Sequence, residues 1–188
     1  MKMNLPHYFV GIPLPGNLKQ ILVETQSVLK SHLPYKQWTH PDDFHVTLKF
    51  LGPTAKENLD TLLEELKLLE NVLAFNVCAG SLGTFGNPNN PRVLWGAVER
   101  KDELLYLHQL VESAAAQAGF QKENRAFKPH ITLAKKWDGG KMDLQKWKEQ
   151  YNSQHSFSVD QVVVYQIFPH QSPKYKPVRI FDLVKEES

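Results

Sequence analysis

A four-residue pattern that can do chemistry occurs twice in the chain, as HVTL at residues 45–48 and as HITL at residues 130–133. Each copy contains a histidine, a β-branched apolar residue, a threonine and a leucine, and a lysine follows within a few residues (Lys49 or Lys135). Alternate residues of a β-strand lie on the same face, about 6.6 Å apart. Each copy therefore places one imidazole beside one hydroxyl, while the apolar residues anchor the strand in a core.

Two such pairs can act on one bound group. If the halves of the chain are duplicates related by an approximate two-fold axis, His45 and Thr47 face His130 and Thr132 across a cleft. A free histidine has a pKa of about 6.5, so near neutral pH one imidazole can accept a proton while the other donates one. This arrangement suits in-line displacement at a phosphodiester, with the hydroxyls holding the non-bridging oxygens.

A metal site is the alternative use for two facing histidines. Within the predicted strands 44–51 and 128–135, no Asp, Glu or Cys lies beside either histidine, so both motif strands lack a third ligand. The single cysteine, Cys78, can form neither an internal disulfide nor a cysteine zinc site, and we expect it to be a small buried side chain. We therefore expect acid–base chemistry without a metal or other cofactor.

The elements that must position these motifs form an α+β pattern. Alternation of apolar and polar residues, or apolar runs bounded by turn residues, predicts strands over 7–14, 44–51, 75–82, 92–99, 128–135, 157–168 and 178–184. Apolar residues at helical spacing predict helices over 17–33, after residue 54 and over 102–118, with a weaker one over 142–151. Glycine, asparagine and proline predict irregular loops over 83–91 and 169–177.

Local signals predict where the helices begin and end. Thr54 and Glu57 have the spacing of a capping box, in which each side chain closes an open backbone amide. Asp102 could cap the third helix, and Gly119 is expected just beyond its last turn. Because strands and helices do not alternate strictly, the order of elements favours an antiparallel sheet over a doubly wound parallel one.

Size and charge exclude several classes of protein. The 188 residues suit one domain built of two small lobes, each carrying one motif. With 22 Lys+Arg against 20 Asp+Glu, the formal charge of +2 excludes a polyelectrolyte that coats nucleic acid but allows a local basic pocket. Residues 1–10 are too short and too interrupted for a signal peptide, and no run approaches a membrane span. We expect a cytoplasmic monomer without a membrane partner.

The motifs and their surroundings resemble the 2H phosphoesterase superfamily, in particular its RNA 2′,3′-cyclic phosphodiesterase branch, also called 2′-5′ RNA ligases. The segments that carry the resemblance are HVTLKFLG, HITLAKKW, FVGIPLP, PRVLWGAV and FKPHITLAK. The resemblance covers essentially the whole chain. It implies a bilobal fold with a pseudo-two-fold axis, in which two antiparallel sheets line a central cleft and the helices lie outside.

The resemblance also implies a reaction and roles for the motif residues. The reaction is hydrolysis of a terminal 2′,3′-cyclic phosphate of RNA to a 2′-phosphate, without metal or ATP. His45 would be the proton donor to the departing 3′ oxygen and His130 the proton acceptor. Thr47 and Thr132 would be phosphate ligands. Lys135 stands where many relatives have arginine, and it keeps the positive charge but lacks the bidentate fork.

The implied partner is RNA with a 2′,3′-cyclic phosphate end, such as a tRNA fragment, or a small cyclic nucleotide. Lys174 and Lys176 could contact an RNA backbone, while Trp38, Phe85 and Tyr175 could stack on bases. Other functions fit the same cleft. These are 2′-5′ RNA ligation, in which a 5′-hydroxyl replaces water, RNA-end binding with incidental hydrolysis, and hydrolysis of another small cyclic phosphate.

Overall fold

Nine strands, four α-helices and two short 3₁₀ helices (Pro41–Asp43 and Leu66–Asn71) build the part of the chain that the computed structural model describes, residues 5–87 and 89–185. Residues 1–4, which belong to the segment 1–10 predicted not to be a signal peptide, lie outside the described residues. So does residue 88 of the predicted loop 83–91. The strands are β1 (His7–Pro13), β2 (Tyr35–Trp38), β3 (His45–Pro53), β4 (Phe75–Asn87), β5 (Asn90–Val98), β6 (His130–Trp137), β7 (Gln154–Val159), β8 (Gln161–Ile167) and β9 (Tyr175–Asp182). The helices are α1 (Gly16–Lys30), α2 (Lys56–Glu65), α3 (Asp102–Gln117) and α4 (Leu144–Gln150).

All strands belong to one antiparallel sheet with the order β7-β4-β5-β6-β3-β1-β8-β9, and β2 pairs with β6 beside this path. Counted outward from the centre, the two halves have the same plan, β3-β1-β8-β9 and β6-β5-β4-β7. The halves meet where Val46 pairs with Ile131. The α+β class is confirmed, and the two expected sheets are the two halves of one continuous sheet.

The helices each bury one apolar stripe against the core, as their periodicity predicts. In α1 the buried stripe includes Leu18, Leu22 and Leu29, and in α3 it includes Leu104 and Leu107. None of the helices in the described part of the chain combines the length and the apolar character that a membrane-crossing helix needs.

The segment 83–91 was expected to be an irregular loop, and this prediction is wrong. Most of it extends the hairpin of β4 and β5. Its glycines serve close packing and bulges rather than the end of a strand: Gly83 pairs with Trp95 and lies under the indole ring, and Gly86 has a φ of +106°. In the sequence alone these glycines look like turn residues, because a turn and a close backbone contact both favour a residue without a Cβ.

Three other segments also differ from the predictions. The predicted strand 157–168 is divided at Asp160 into β7 and β8, which lie in opposite halves of the sheet. The first residues of β9 fall in the predicted loop 169–177, and the short strand β2 was not predicted because two of its four residues, Lys36 and Gln37, are polar.

One side chain also differs from its prediction. Cys78 is partly exposed rather than buried.

The predicted capping box is also wrong. Helix α2 begins at Lys56 without a side-chain cap, and the buried Thr54 hydroxyl donates instead to the carbonyl of Gly52 in the turn that ends β3. Asp102 is the first residue of α3 rather than its cap. Gly119 is confirmed at the end of α3, where it has a φ of +85° and its N–H donates to a carbonyl in the last turn.

Replacing Gly83 by alanine is expected to lower the free energy of unfolding by about 1–3 kcal/mol, because the new methyl group would overlap the Trp95 ring. Gly16→Ala is the matched control, since nothing lies within 4 Å of its added Cβ at the start of α1. That change should leave stability the same or raise it by up to about 1 kcal/mol. Urea denaturation measures both, and equal midpoints would contradict the predicted contact.

Candidate active site

The two motifs occupy matching places on the two central strands. Val46 and Ile131 are fully buried and pair with each other, so both motifs are fixed relative to one another by the core. Thr47 and Thr132 project to the other side and line one common cavity. The duplicated motif therefore gives a duplicated site, as the strand periodicity predicts.

Each central strand changes phase at the leucine of its motif. The register with the neighbouring strand shifts at Leu48 in β3 and at Leu133 in β6. A bulge of this kind reverses the side to which the later residues point. As a result Phe50 and Lys135, each five residues after the motif histidine, join the cavity wall.

The two lysines that follow the motifs are therefore not equivalent. Lys49 lies on the face of the sheet opposite the cavity. It is 6% exposed and forms an ion pair of 2.9 Å with Glu112. It also donates to the carbonyl of Gln121 at 2.6 Å. Lys135 is exposed and lines the cavity, and its structural counterpart in the other half is Phe50. One half thus presents a cation where the other presents an aromatic ring.

Both catalytic candidates are held by the backbone carbonyl two residues earlier in the chain. Nδ1 of His45 lies 2.7 Å from the carbonyl oxygen of Asp43, and Nδ1 of His130 lies 2.7 Å from that of Lys128. Because a carbonyl can only accept, each Nδ1 carries a proton and donates it, which leaves Nε2 for chemistry. Nε2 of His45 lies 2.8 Å from the Thr47 hydroxyl, which donates to it when the imidazole is neutral.

Asp43 connects His45 to a distant loop, a role that sequence reasoning missed. Its carboxylate is buried and accepts the backbone N–H groups of Lys174, at 2.9 and 3.0 Å, and of Tyr175, at 3.1 Å. Its own carbonyl holds His45. The sequence signal available was position alone, two residues before the motif. One residue therefore fixes both the imidazole and the loop that carries a candidate phosphate ligand.

The cavity has a volume of about 460 Å³ and brings together most of the predicted site residues. Those that line it are His45, Thr47, Thr132, Lys135, Trp38, Lys174 and Tyr175. Lys176 does not line the cavity; its ammonium group lies 4.8 Å from the centre of the Phe168 ring. Sequence reasoning missed several other lining residues, namely Phe9, Lys36, Gln37, Thr39, His40, Asp43, Phe50, Ile167 and Ser172.

His130 is not part of the cavity lining itself. It precedes Thr132 by two residues on β6 and packs edge-on against the ring of Phe85, with 4.8 Å between the ring centres. The Trp95 ring lies 6.1 Å away. The charge of His130 nevertheless acts on the cavity residue His45, because a protonated His130 disfavours the protonated form of His45.

Burial lowers the pKa of His45 from 6.5 to about 4. The rings of Phe9 and Tyr175 pack around it at 4.5 and 5.3 Å, and the charges of Lys135 and His130 lower the pKa further. The hydrogen bond to Asp43 acts in the opposite direction but is outweighed. His45 is therefore neutral at pH 7.

The other groups of the site also disfavour further positive charge. Burial, with help from Lys135 and Lys128, lowers the pKa of His130. Desolvation and repulsion from Lys174 lower the pKa of Lys135. A bound anion would relieve this repulsion, so the electrostatics of the cavity favour an anionic ligand. Within residues 5–87 and 89–185, no three His, Cys, Asp or Glu side chains cluster in a way that could hold a metal ion.

Comparison with solved structures defines the class of fold. The structure superposes on a crystal structure of E. coli LigT complexed with 3′-AMP, with a TM-score of 0.77 over 95% of this chain and 99% of that one, at 22% identity. The sequence profile of the 2′-5′ RNA ligase superfamily matches residues 19–167. The chain therefore belongs to the 2′-5′ RNA ligase superfamily, and the resemblance noted in its motifs is confirmed.

Two relatives with established names share about a third of their residues with this chain. An RNA 2′,3′-cyclic phosphodiesterase of Geobacillus stearothermophilus is 32% identical over 184 residues, which are 97% of this chain and 59% of that protein. An RNA 2′,3′-cyclic phosphodiesterase of Bacillus subtilis is 31% identical over 179 residues, 95% of this chain and 97% of that protein. The chain thus spans 59% of the first relative's length and nearly all of the second's.

Replacing Asp43 by alanine is expected to free the loop that carries Lys174 and to lower the free energy of unfolding by about 1–3 kcal/mol, because the partly buried N–H groups of Lys174 and Tyr175 lose their acceptor. Hydrogen exchange at the amides of Lys174 and Tyr175 should become faster. Asp42→Ala is the matched control, since this neighbouring carboxylate is exposed. Equal stability and unchanged exchange in the two variants would contradict the role of Asp43.

The lowered pKa of His45 predicts how stability depends on pH. Below pH 6.5 the unfolded chain takes up a proton that the folded imidazole refuses until about pH 4, so the contribution of His45 to stability falls across this range. NMR titration of His45 should give a midpoint near 4 in the folded protein. The protein unfolded in urea, with a midpoint of about 6.5, is the control. A folded midpoint at or above that value would show that the imidazole is not desolvated.

Proposed function

We propose that this protein hydrolyses RNA 2′,3′-cyclic phosphate ends to 2′-phosphate ends by two-histidine acid–base catalysis. The observation that carries the proposal is the pair of matched His–Thr arrangements, each with Nδ1 fixed to a carbonyl, beside one cationic cavity. The names of the Geobacillus and Bacillus relatives support the choice of substrate. The assignment of His45 as acid and His130 as base is the one that the resemblance of the two motifs implies.

In the proposed reaction, water attacks the phosphorus atom in line with the bond to O3′. Nε2 of His130 accepts a proton from the water as the new P–O bond forms. The P–O3′ bond breaks, and Nε2 of His45 donates a proton to O3′. The products are a 2′-phosphate and a free 3′-hydroxyl. His130 is left protonated and His45 neutral, and proton exchange with solvent restores both.

The substrate itself supplies the condition that His45 needs. With a pKa of about 4, His45 by itself is neutral at pH 7, whereas an acid must carry a proton. A phosphate anion beside the imidazole favours the charged form and raises its pKa. Once Nε2 is protonated it can no longer accept from the Thr47 hydroxyl, whose distance is 2.8 Å. The hydroxyl is then free to donate to a phosphate oxygen, so charging the acid and binding the phosphate are coupled.

The phosphate ligands of the proposal come from both halves of the sheet. Thr47 and Thr132 supply hydroxyls, and Lys135 and Lys174 supply charge from the cavity wall. Lys135 acts as a point charge, since an ammonium group does not make the two parallel hydrogen bonds of a guanidinium. Charge that develops on the non-bridging oxygens is then stabilised by groups already in place.

The superfamily's name also raises RNA ligation as a second candidate function. Ligation is the same displacement with the 5′-hydroxyl of a second RNA in place of water: its oxygen forms the new bond to phosphorus, the P–O3′ bond breaks, and a 2′-5′ phosphodiester results. The site treats the two nucleophiles alike, because His130 would deprotonate either one. Comparing net joining with net hydrolysis at micromolar RNA decides between them.

His45→Ala and His130→Ala are each expected to lower the hydrolysis rate by about 10²–10⁴-fold while the protein stays folded, because each removes one proton transfer. The assay follows an oligonucleotide with a 2′,3′-cyclic phosphate end in the presence of EDTA, with circular dichroism as the check on folding. His155→Ala is the control, since this histidine of β7 does not line the cavity.

The same assay identifies the position of the product phosphate. A 2′-phosphate is expected, because the proposal breaks the bond to O3′. Full activity in either motif variant would overturn the two-histidine mechanism, and a 3′-phosphate product would overturn the choice of leaving group. Loss of activity in EDTA would favour the metal site instead.

A further inference from the structure

A second, open groove of about 430 Å³ adjoins the active-site cavity where β5 begins and β6 ends. Its floor is Val93, its aromatic walls are Phe85 and Trp137, and Lys135 lines both the groove and the cavity. The wall residue Phe85 also packs against His130. The groove therefore meets the site at two points, Lys135 and the contact between Phe85 and His130.

The charge of the groove is uniformly positive. Arg92, Lys135 and Lys136 are exposed along it, and among residues 5–87 and 89–185 no acidic side chain forms an ion pair with any of them. The two rings, Phe85 and Trp137, are half-buried. Cations beside partly exposed aromatic rings form the surface that binds single-stranded nucleic acid, where phosphates contact the cations and bases stack on the rings. The chemistry of this groove thus matches a strand of RNA.

Lys136 is held in an unusual backbone conformation. Its φ is +62°, in the left-handed region that glycine occupies without strain. In the other half of the sheet, β3 also contains a residue with a positive φ near its end, Gly52 at +71°, seven residues after its motif histidine. A lysine at such a position costs stability that a glycine would not, and strain of this kind concentrates at binding sites. Lys136 supplies a cation to the groove where a glycine would fold more easily.

Direction along the substrate identifies what the groove would hold. A cyclic phosphate closes the 3′ end of an RNA, so the rest of the strand continues only on its 5′ side. Lys136 lies four residues beyond Thr132 on β6, roughly 13 Å along the strand, which is farther than one phosphate group extends. A phosphate bound at Lys136 is therefore not the cyclic phosphate, and the next phosphate of the strand is the one on the 5′ side of the terminal nucleotide.

The geometry points to this groove as the site for the nucleotides that precede the cyclic phosphate, and hence to an RNA oligonucleotide rather than a cyclic mononucleotide as the preferred substrate. This inference rests on the proposed function, since it extends the same site. Arg92 and Lys136 bind the backbone of the strand, and Phe85 and Trp137 stack on its bases.

The test compares two substrates, a mononucleoside 2′,3′-cyclic phosphate and an RNA trinucleotide with the same cyclic end. The double variant Arg92→Ala, Lys136→Ala is expected to lower kcat/KM for the trinucleotide by about tenfold through KM, and to leave the mononucleotide unchanged. The slope of log affinity against log salt should fall by about 1.4 for the loss of two phosphate contacts.

The matched control is Arg100→Ala, Lys148→Ala. Arg100 is exposed beyond the other end of β5, Lys148 is exposed on α4, and this variant removes the same two charges as the test variant. It should keep the full preference for the trinucleotide. A single variant, Lys136→Gly, removes the cation while relieving the backbone strain, so its loss of trinucleotide affinity would not come from misfolding.

The outcomes separate the groove from the proposed function. If the wild-type protein hydrolyses the mononucleotide and the trinucleotide equally well, or if the test and control variants behave alike, the groove inference is wrong and the proposed function stands. If the wild-type protein hydrolyses neither substrate, the proposed function fails, and the groove inference falls with it.

Discussion

At the centre of the sheet, β3 and β6 pair through Val46 and Ile131, the residues between the histidine and the threonine of each motif. Both are fully buried, so the core fixes the register of this pair. Because side chains alternate along a strand, fixing these two residues inward turns both His–Thr pairs outward to the same side. A slip of one residue would bury a histidine, and the cavity, the anchored imidazoles and the groove all depend on this one alignment.

The two halves of the sheet place their motif residues alike, but the residues around the two histidines differ. The two imidazoles are anchored alike, yet His45 is packed by Phe9 and Tyr175 while His130 lies against Phe85. The matching bulges at the motif leucines place an aromatic ring, Phe50, in one half and a cation in the other. Two identical groups with different surroundings can hold different protonation states, which acid–base catalysis requires.

The sequence was sufficient for the features that depend on local pattern. The α+β class, the two motif strands and the side on which His45 and Thr132 lie follow from strand periodicity and from the repeat. The sequence was insufficient for features that depend on contacts between distant segments. Nothing local distinguishes a glycine under an indole ring, such as Gly83, from a turn glycine, and nothing local shows that Asp43 accepts hydrogen bonds from a loop 131 residues later. Bulges also reverse the pattern after each motif, which concealed Phe50 as part of the cavity.

The strand order also sets the sequence in which the two halves can be completed. One half, β4 to β7, is built from a single continuous stretch, residues 75–159, whereas the other joins β1 and β3 to β8 and β9 near the other end of the chain. Contacts between distant segments form late, because closing a long loop costs more chain entropy than closing a short one. During synthesis the continuous half can assemble while β1 still lacks its partner β8. The loop that binds Asp43 follows the other residues of the cavity in the chain, so the site becomes complete only after residues 174 and 175 have been made.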